Sequence, residues 1–150
     1  MKFKHPIVLV LACLTLTLPL AACDDDDDDG TTVNVALREY SVTPDRTTAP
    51  SGNVTFDVSN LGSEPHEFLV IKTNLAPANL PIEINGSYEE DGAGTDLIDE
   101  IELILPGGSE DLTLDLSAGK YVLICNMVHV EGITVEAHYA LGMRAAFTVQ

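Results

Sequence analysis

The chain has 150 residues and is strongly acidic, with 24 aspartates and glutamates against seven lysines and arginines. A net charge of −17 makes nucleic acid and anionic lipid headgroups poor partners, and it favours proteins with a positively charged surface. No internal repeat, helical heptad pattern or basic patch appears along the chain. These features exclude a nucleic-acid-binding module and a helical repeat protein.

The first 22 residues have the features of an export signal. Lys2 and Lys4 precede an apolar run from Ile7 to Leu18, which is too short to cross a bilayer as a permanent helix. The run ends Leu20-Ala-Ala-Cys23, which resembles a bacterial lipobox, where the peptide is cut before the cysteine and its thiol is acylated. We therefore predict lipidation at Cys23; the alternative is an ordinary signal with an incidental cysteine.

Six consecutive aspartates, residues 24–29, follow the cysteine. A block of like charge repels itself, so residues 23–31 are expected to form a short extended, solvated tether. An aspartate directly after a lipidated cysteine resembles the inner-membrane retention signal of some Gram-negative bacteria. The expected location is the bacterial cytoplasmic membrane, with the domain facing the periplasm or the cell exterior. Loss of the two signal lysines leaves five cationic residues against 24 acidic ones, a mature net charge of −19.

Residues 32–150 are enough for one domain with a single core. Apolar and polar residues alternate in several short stretches, which is typical of half-buried strands: 33–37, 54–58, 112–116 and 147–149. Residues 68–71 and 121–124 are continuous apolar runs, as expected of strands that are buried on both faces. Turn signals separate these segments, so the pattern predicts an all-β, antiparallel sandwich.

The stretch from residue 73 to residue 94 lacks this alternation. Residues 75–80 could form one helical turn, and residues 85–94 are rich in glycine and acidic side chains. The second part is predicted to be a mobile, solvated loop.

One cysteine of the mature chain has no disulfide partner. Cys13 is lost with the signal and Cys23 is expected to be acylated, so Cys125 remains alone. A solitary thiol in an oxidising compartment is a liability unless it is buried or bound to a metal. Cys125 has the same strand parity as Tyr121 and Leu123, so all three side chains are expected to project to one face.

Further donors are His66, His138 and Met143. Together with Cys125 they offer two imidazoles, one thiolate and one thioether. Soft sulfur ligands favour copper, and two histidines plus a cysteine with a weak methionine form blue-copper electron-transfer sites. Neither a Cys-x2-Cys pair for structural zinc nor a Gly-x-Ser-x-Gly nucleophile motif occurs in the sequence.

The same residues stand within longer motifs: Gly52-Asn-Val-Thr-Phe56 with Asn60 and Pro65-His66; Leu116-Ser-Ala-Gly119-Lys-Tyr121 with Cys125; and His138 with Gly142-Met143 ahead of Phe147-Thr-Val149. In this order they are similar to the cupredoxins over essentially the whole of residues 32–150. The resemblance implies a Greek-key β-sandwich with one mononuclear type 1 copper. It also implies that His66, Cys125 and His138 are equatorial ligands and that Met143 is the axial ligand.

Two departures from the family pattern affect this expectation. Twelve residues lie between Cys125 and His138, where most small cupredoxins have two to four, and they include His129 as a rival ligand. We prefer His138, because one short loop can then supply both His138 and Met143. Glu67 stands where many relatives have an asparagine that joins the two ligand loops, so the tuning of the metal is expected to differ.

The sequence therefore predicts a lipid-anchored, monomeric blue-copper protein that transfers electrons outside the cytoplasmic membrane and is not an enzyme. A cationic redox protein is the expected partner. Two alternatives stay open at this point. One is a copper-handling protein that stores or delivers the metal without redox turnover, and the other is a cupredoxin-fold interaction module.

Overall fold

The computed structural model describes residues 30–150, and in them almost all regular structure is β. The predicted signal peptide, the lipidation site Cys23 and the six aspartates lie outside the described residues. Within the described part, no helix is long and apolar enough to cross a membrane.

Eleven strands and two very short helices follow one another in the described chain: β1 Thr31–Arg38, β2 Ser41–Pro44, β3 Thr48–Ala49, β4 Gly52–Asn60, β5 His66–Thr73, a 3-10 helix Pro77–Asn79, β6 Thr95–Ile104, β7 Ser109–Leu116, β8 Gly119–Ile124, β9 Val128–Glu131, β10 Thr134–Ala137, α1 His138–Leu141 and β11 Arg144–Val149. The strands agree with every alternating stretch and both apolar runs predicted from the sequence. The short strands β2 and β3, strand β6 and the β9–β10 hairpin were not predicted.

The strands form two packed sheets and one separate hairpin. The first sheet has the order β2-β1-β4-β7 and the second β3-β11-β8-β5-β6, while β9 pairs only with β10. The prediction of an all-β Greek-key sandwich is confirmed. Its pairing is not purely antiparallel, because β1 runs parallel to β4 and β3 runs parallel to β11.

Alternation along the strands builds the core between the two sheets. Val54, Phe56 and Val58 of β4 are completely buried, while the residues between them are partly exposed. The Phe56 ring lies between two others, with centroid distances of 5.4 Å to Phe68 and 5.5 Å to Phe147. This aromatic cluster joins strands from both sheets.

The segment between β5 and β6 covers the outer face of the second sheet. Its residues Leu80 and Tyr88 are only 4% and 2% exposed, and they pack on Val122 and Ile124 of β8. The Tyr88 hydroxyl lies 2.9 Å from the Thr95 hydroxyl. This cover explains why β5 and β8 are apolar on both faces. The prediction of a solvated loop over residues 85–94 therefore holds for the acidic side chains but not for the buried Tyr88.

The aromatic cluster supplies a direct stability test. Replacement of Phe56 by alanine should lower the free energy of unfolding of the metal-free protein by about 3–5 kcal/mol, because a large cavity is left between the sheets. The neighbouring Thr55→Ala is the matched control on the same strand. Thr55 is partly exposed and has a 2.8 Å hydroxyl contact with Thr113, so its loss should cost about 1 kcal/mol. Urea denaturation measures both values, and equal losses would contradict this description of the core.

Candidate metal centre

The candidate site lies where β5 begins and β8 ends. These two strands pair antiparallel, with Leu69 opposite Ile124, so the first residue of β5 and the residue after β8 meet at one end of the sheet. Those residues are His66 and Cys125, which are 59 positions apart in the sequence. Strand pairing alone therefore brings the thiol and the first imidazole together.

Cys125 faces the core between the sheets, as its strand parity predicts. It is fully buried and packs in the same cluster as Tyr121 and Leu123. Its backbone N–H donates to the carbonyl of Met143 at 3.1 Å, and the next residue along, Arg144, pairs with Ile124. Strand β11 thus holds Met143 beside the cysteine.

The unexpected length between Cys125 and His138 is folded into a hairpin. Strands β9 and β10 pair from Val128 opposite Ala137 outward, and the N–H of His138 donates to the carbonyl of Met127 at 2.9 Å. The insertion leaves the site and returns to it at nearly the same point. His138 therefore occupies a position that a much shorter loop could also reach. The N–H of Met143 donates to the carbonyl of His138 at 3.0 Å.

Three donor atoms converge within this buried end of the sandwich. The Cys125 sulfur lies 3.4 Å from Nδ1 of His138 and 3.7 Å from Nδ1 of His66. The two Nδ1 atoms are 3.1 Å apart, and all three donor atoms lie within 4.8 Å of one another. Met143 is also fully buried. The structure places three of the four predicted ligands in one cluster, and the backbone of the fourth, Met143, is hydrogen-bonded to two of them.

His129, the rival ligand, lies elsewhere. It is an exposed residue of strand β9, paired opposite Glu136, and is not one of the three clustered donors. A surface cavity of about 190 Å³ has both His129 and His138 in its wall. His138 is thus the imidazole that the fold brings to Cys125.

The electrostatics of the donors suit a bound cation. Burial lowers the pKa of both imidazoles, and for His66 the neighbouring His138 lowers the pKa further, so the neutral rings offer lone pairs. Two facing Nδ1 lone pairs at 3.1 Å repel unless a proton or a metal ion lies with them. Burial raises the pKa of the Cys125 thiol to about 12, although N–H groups of Glu67 and Met127 oppose this. A coordinated metal ion would displace that proton.

Glu67 joins the two ligand loops in place of the asparagine expected there. Its backbone N–H donates to the Cys125 sulfur at 3.4 Å, and its carboxylate accepts from the backbone N–H of Asn126. Burial raises the pKa of the Glu67 carboxyl to about 7, and the nearby Glu100 adds to this rise. The departure from the family pattern therefore keeps the link between the loops but replaces a neutral amide by a titratable group.

Three contacts to the imidazoles were not predicted from the sequence. Glu39 and Glu64 each bring a carboxylate oxygen to 3.3 Å from Nε2, of His66 and of His138 respectively. The Tyr40 ring meets the His138 ring edge-on at a centroid distance of 5.4 Å. Nothing in the local sequence separates these residues from ordinary loop residues, because the β1–β2 turn and the loop before β5 meet the two imidazoles only when distant strands pair.

A model of the cupredoxin-like domain family matches residues 6–135 of the sequence. The chain belongs to the cupredoxin-like domain family. Solved structures with a similar fold include auracyanin from Roseiflexus castenholzii, at 24% identity and a TM-score of 0.55 over 81% of this chain and 98% of that one. No curated protein sequence gives a significant match.

Two further structural neighbours of this cupredoxin are described as copper proteins. Auracyanin A from Chloroflexus aurantiacus, a "blue" copper protein, has 19% identity and a TM-score of 0.51 over 81% of this chain and 99% of that one. Rusticyanin from Thiobacillus ferrooxidans has 18% identity and a TM-score of 0.52, over 81% and 79%. At these identities the likeness shows the shared fold. The donor set, two imidazoles and one thiol with a buried methionine beside them, fits one mononuclear type 1 copper.

The second histidine ligand can be tested with two alanine variants. His138→Ala should change the spectrum of the copper-loaded protein as severely as His66→Ala, because both imidazoles reach the cysteine sulfur. His129→Ala is the matched control and should leave the spectrum nearly unchanged, since its side chain is exposed on β9. Visible absorption of the three variants makes the comparison. Loss of the spectrum in the His129 variant alone would contradict the assignment of His138.

Proposed function

We propose that this chain is a blue-copper protein that transfers single electrons outside the cytoplasmic membrane. The observation that carries the proposal is the buried convergence of His66 Nδ1, His138 Nδ1 and the Cys125 sulfur within 4.8 Å. Met143, which is also buried, would supply the fourth ligand in this proposal. When bound, the copper ion accepts and releases one electron, and the protein supplies the ligand geometry and a dry pocket.

The residues around the site suit a carrier that must change little between two oxidation states. His66 and Cys125 lie at the ends of paired strands, and backbone hydrogen bonds tie Met143 to both Cys125 and His138. All four side chains are buried, so water has little access to the donors. A fixed and desolvated ligand set keeps structural rearrangement small when charge enters or leaves. Structures of auracyanin and of rusticyanin are described as those of the reduced proteins, which supports a redox role for this fold.

The partner in this proposal is a protein with a positively charged surface. The cavity beside His138 is walled by Glu64 and by apolar residues of the hairpin, and it opens next to one of the proposed ligands. The chain as a whole carries a net charge of −17. A cationic partner would be attracted to such a surface and could approach the metal through His138.

The proposed location is the outer side of the cytoplasmic membrane, where a lipid on Cys23 would anchor the domain through the acidic segment. The lipobox-like sequence and the aspartates that follow it support this part of the proposal. Labelling with a radioactive fatty acid should mark the wild-type protein, and Cys23→Ser should abolish the label.

The visible spectrum tests the proposed function most economically. The Cu(II) protein should show an intense thiolate-to-copper charge-transfer band, and Cys125→Ser should abolish it, because a hydroxyl is a poor ligand for a soft metal and supplies no sulfur orbital. The zinc-loaded wild-type protein is the control and should show no such band. A Cu(II) protein with a weak band or none would instead support copper storage or delivery.

Salt dependence tests the proposed partner class. Reduction by a small cationic electron donor should slow as ionic strength rises, because charges separated by more than about 10 Å are screened at 0.1 M salt. Reduction by a neutral donor of similar potential is the control and should change little. Stopped-flow absorption measures both rates. A rate of reduction by the cationic donor that does not change with salt would contradict the electrostatic part of the proposal.

A further inference from the structure

Both proposed histidine ligands have a carboxylate at the ring nitrogen that faces away from the cluster. The Glu39 Oε1 atom lies 3.3 Å from Nε2 of His66, and the Glu64 Oε2 atom lies 3.3 Å from Nε2 of His138. The two carboxylates come from different loops, the turn after β1 and the loop before β5. The same arrangement thus occurs twice, once on each imidazole.

The Glu39 carboxylate is held in place by the chain that leads into His66. Its Oε1 atom accepts hydrogen bonds from the backbone N–H groups of Ser63 and Glu64, both at 2.8 Å. A Cβ atom on Gly62 would collide with this carboxylate, so a larger residue at position 62 would displace it from its present position. The buried amide of Asn60 holds the loop from its other end, through a 2.8 Å hydrogen bond to the Glu64 carbonyl. The position of Glu39 is therefore built into the loop.

The Glu64 carboxylate approaches the His138 imidazole with one oxygen atom buried in the protein. Its side chain is 39% exposed as a whole, while Oε2 itself is buried against His138. Tyr40 contacts the same ring edge-on and limits its rotation. The Oε2 atom of Glu64 therefore faces the His138 imidazole and is shielded from water.

Each of the two Nε2 atoms lacks any other partner within the described residues. Both are buried, and neither they nor Glu64 Oε2 meet the full distance and angle requirements of a hydrogen bond. An imidazole that binds a metal through Nδ1 carries its proton on Nε2 and must donate it. At 3.3 Å the two carboxylates are the acceptors available to these protons.

We propose that Glu39 and Glu64 are positioning residues of the metal centre, which hold both imidazoles with Nδ1 toward the ion and favour its oxidised state. This inference rests on the proposed function in naming copper as the ion. Carboxylates behind metal-bound histidines fix the tautomer and ring orientation and increase the basicity of the ligand. Because Cu(II) has one more positive charge than Cu(I), two nearby negative charges stabilise it more.

The test replaces each carboxylate by the uncharged amide of the same shape. Glu39→Gln and Glu64→Gln should each lower the affinity for Cu(II) about tenfold, the smaller effect typical of such outer contacts, with little change for Cu(I). A tenfold change in that ratio corresponds to a rise in reduction potential of about 59 mV for one electron. Glu136→Gln is the matched control: it removes a charge that acts on His138 from β10 without contacting the ring. Its potential should stay close to that of the wild-type protein.

A second readout uses a metal ion that does not cycle. In the zinc-loaded protein, nitrogen-15 NMR should show the Nε2–H tautomer for both His66 and His138, with slow exchange of the ring proton. Exchange should become faster at His66 in Glu39→Gln and at His138 in Glu64→Gln, and the affinity for zinc should fall in both variants. The Glu39 carboxylate accepts two backbone hydrogen bonds, so its replacement could also disturb the loop. The Glu64 side chain is 39% exposed, so Glu64→Gln tests the proposal with less risk to the fold.

The possible outcomes separate this inference from the proposed function. Potentials and exchange rates that differ from wild type no more than those of Glu136→Gln would overturn the role of the carboxylates, even with the blue band intact. A different result is that the wild-type Cu(II) protein shows no blue band, while both variants bind zinc more weakly and exchange the ring proton faster. That result would support the carboxylates as positioning residues and would contradict the proposed electron-transfer function.

Discussion

The antiparallel pairing of β5 with β8 is the constraint on which the site depends. It brings the first residue of one strand to the residue just beyond the other, and those residues are His66 and Cys125. Both are fully buried, so a desolvated thiol and a desolvated imidazole are forced into contact at the end of the sandwich. Addition of His138 places two ring nitrogens 3.1 Å apart. These three residues would hold a soft metal ion, whose positive charge would offset the repulsion between the two ring-nitrogen lone pairs and would favour the deprotonated thiol.

The remainder of the fold protects this arrangement from both sides. The aromatic cluster around Phe56 fills the space between the sheets, while Leu80 and Tyr88 cover the outer face of β5 and β8. The hairpin after Cys125 leaves and re-enters at adjacent positions, so a long insertion changes the surface beside His138 without displacing it. Backbone hydrogen bonds thus hold the donor residues in place, and the start of the hairpin forms part of the surface beside His138.

Much of this could be predicted from the sequence, because alternation reports directly which face of a strand is buried. The alternating stretches became strands, and the parity of Cys125 with Leu123 correctly placed the thiol in the core. Strand β6, at residues 95–104, was missed because its exposed outer position leaves it with no clear alternation. The contacts of Glu39 and Glu64 could not be predicted, since an isolated glutamate in a loop looks like any solvated residue until distant strands pair. The buried anchors Leu80 and Tyr88 were also missed, because they lie in a segment that shows no strand alternation.

The central claim is that one copper ion binds between the convergent donors of His66, His138 and Cys125. X-ray absorption at the copper edge of the loaded protein tests it most directly, because it reports the ligand atoms around the metal in solution without requiring redox activity. We expect one copper per chain with two imidazole nitrogens and one short copper–sulfur bond. A copper environment of nitrogen and oxygen atoms without a short sulfur bond would contradict it.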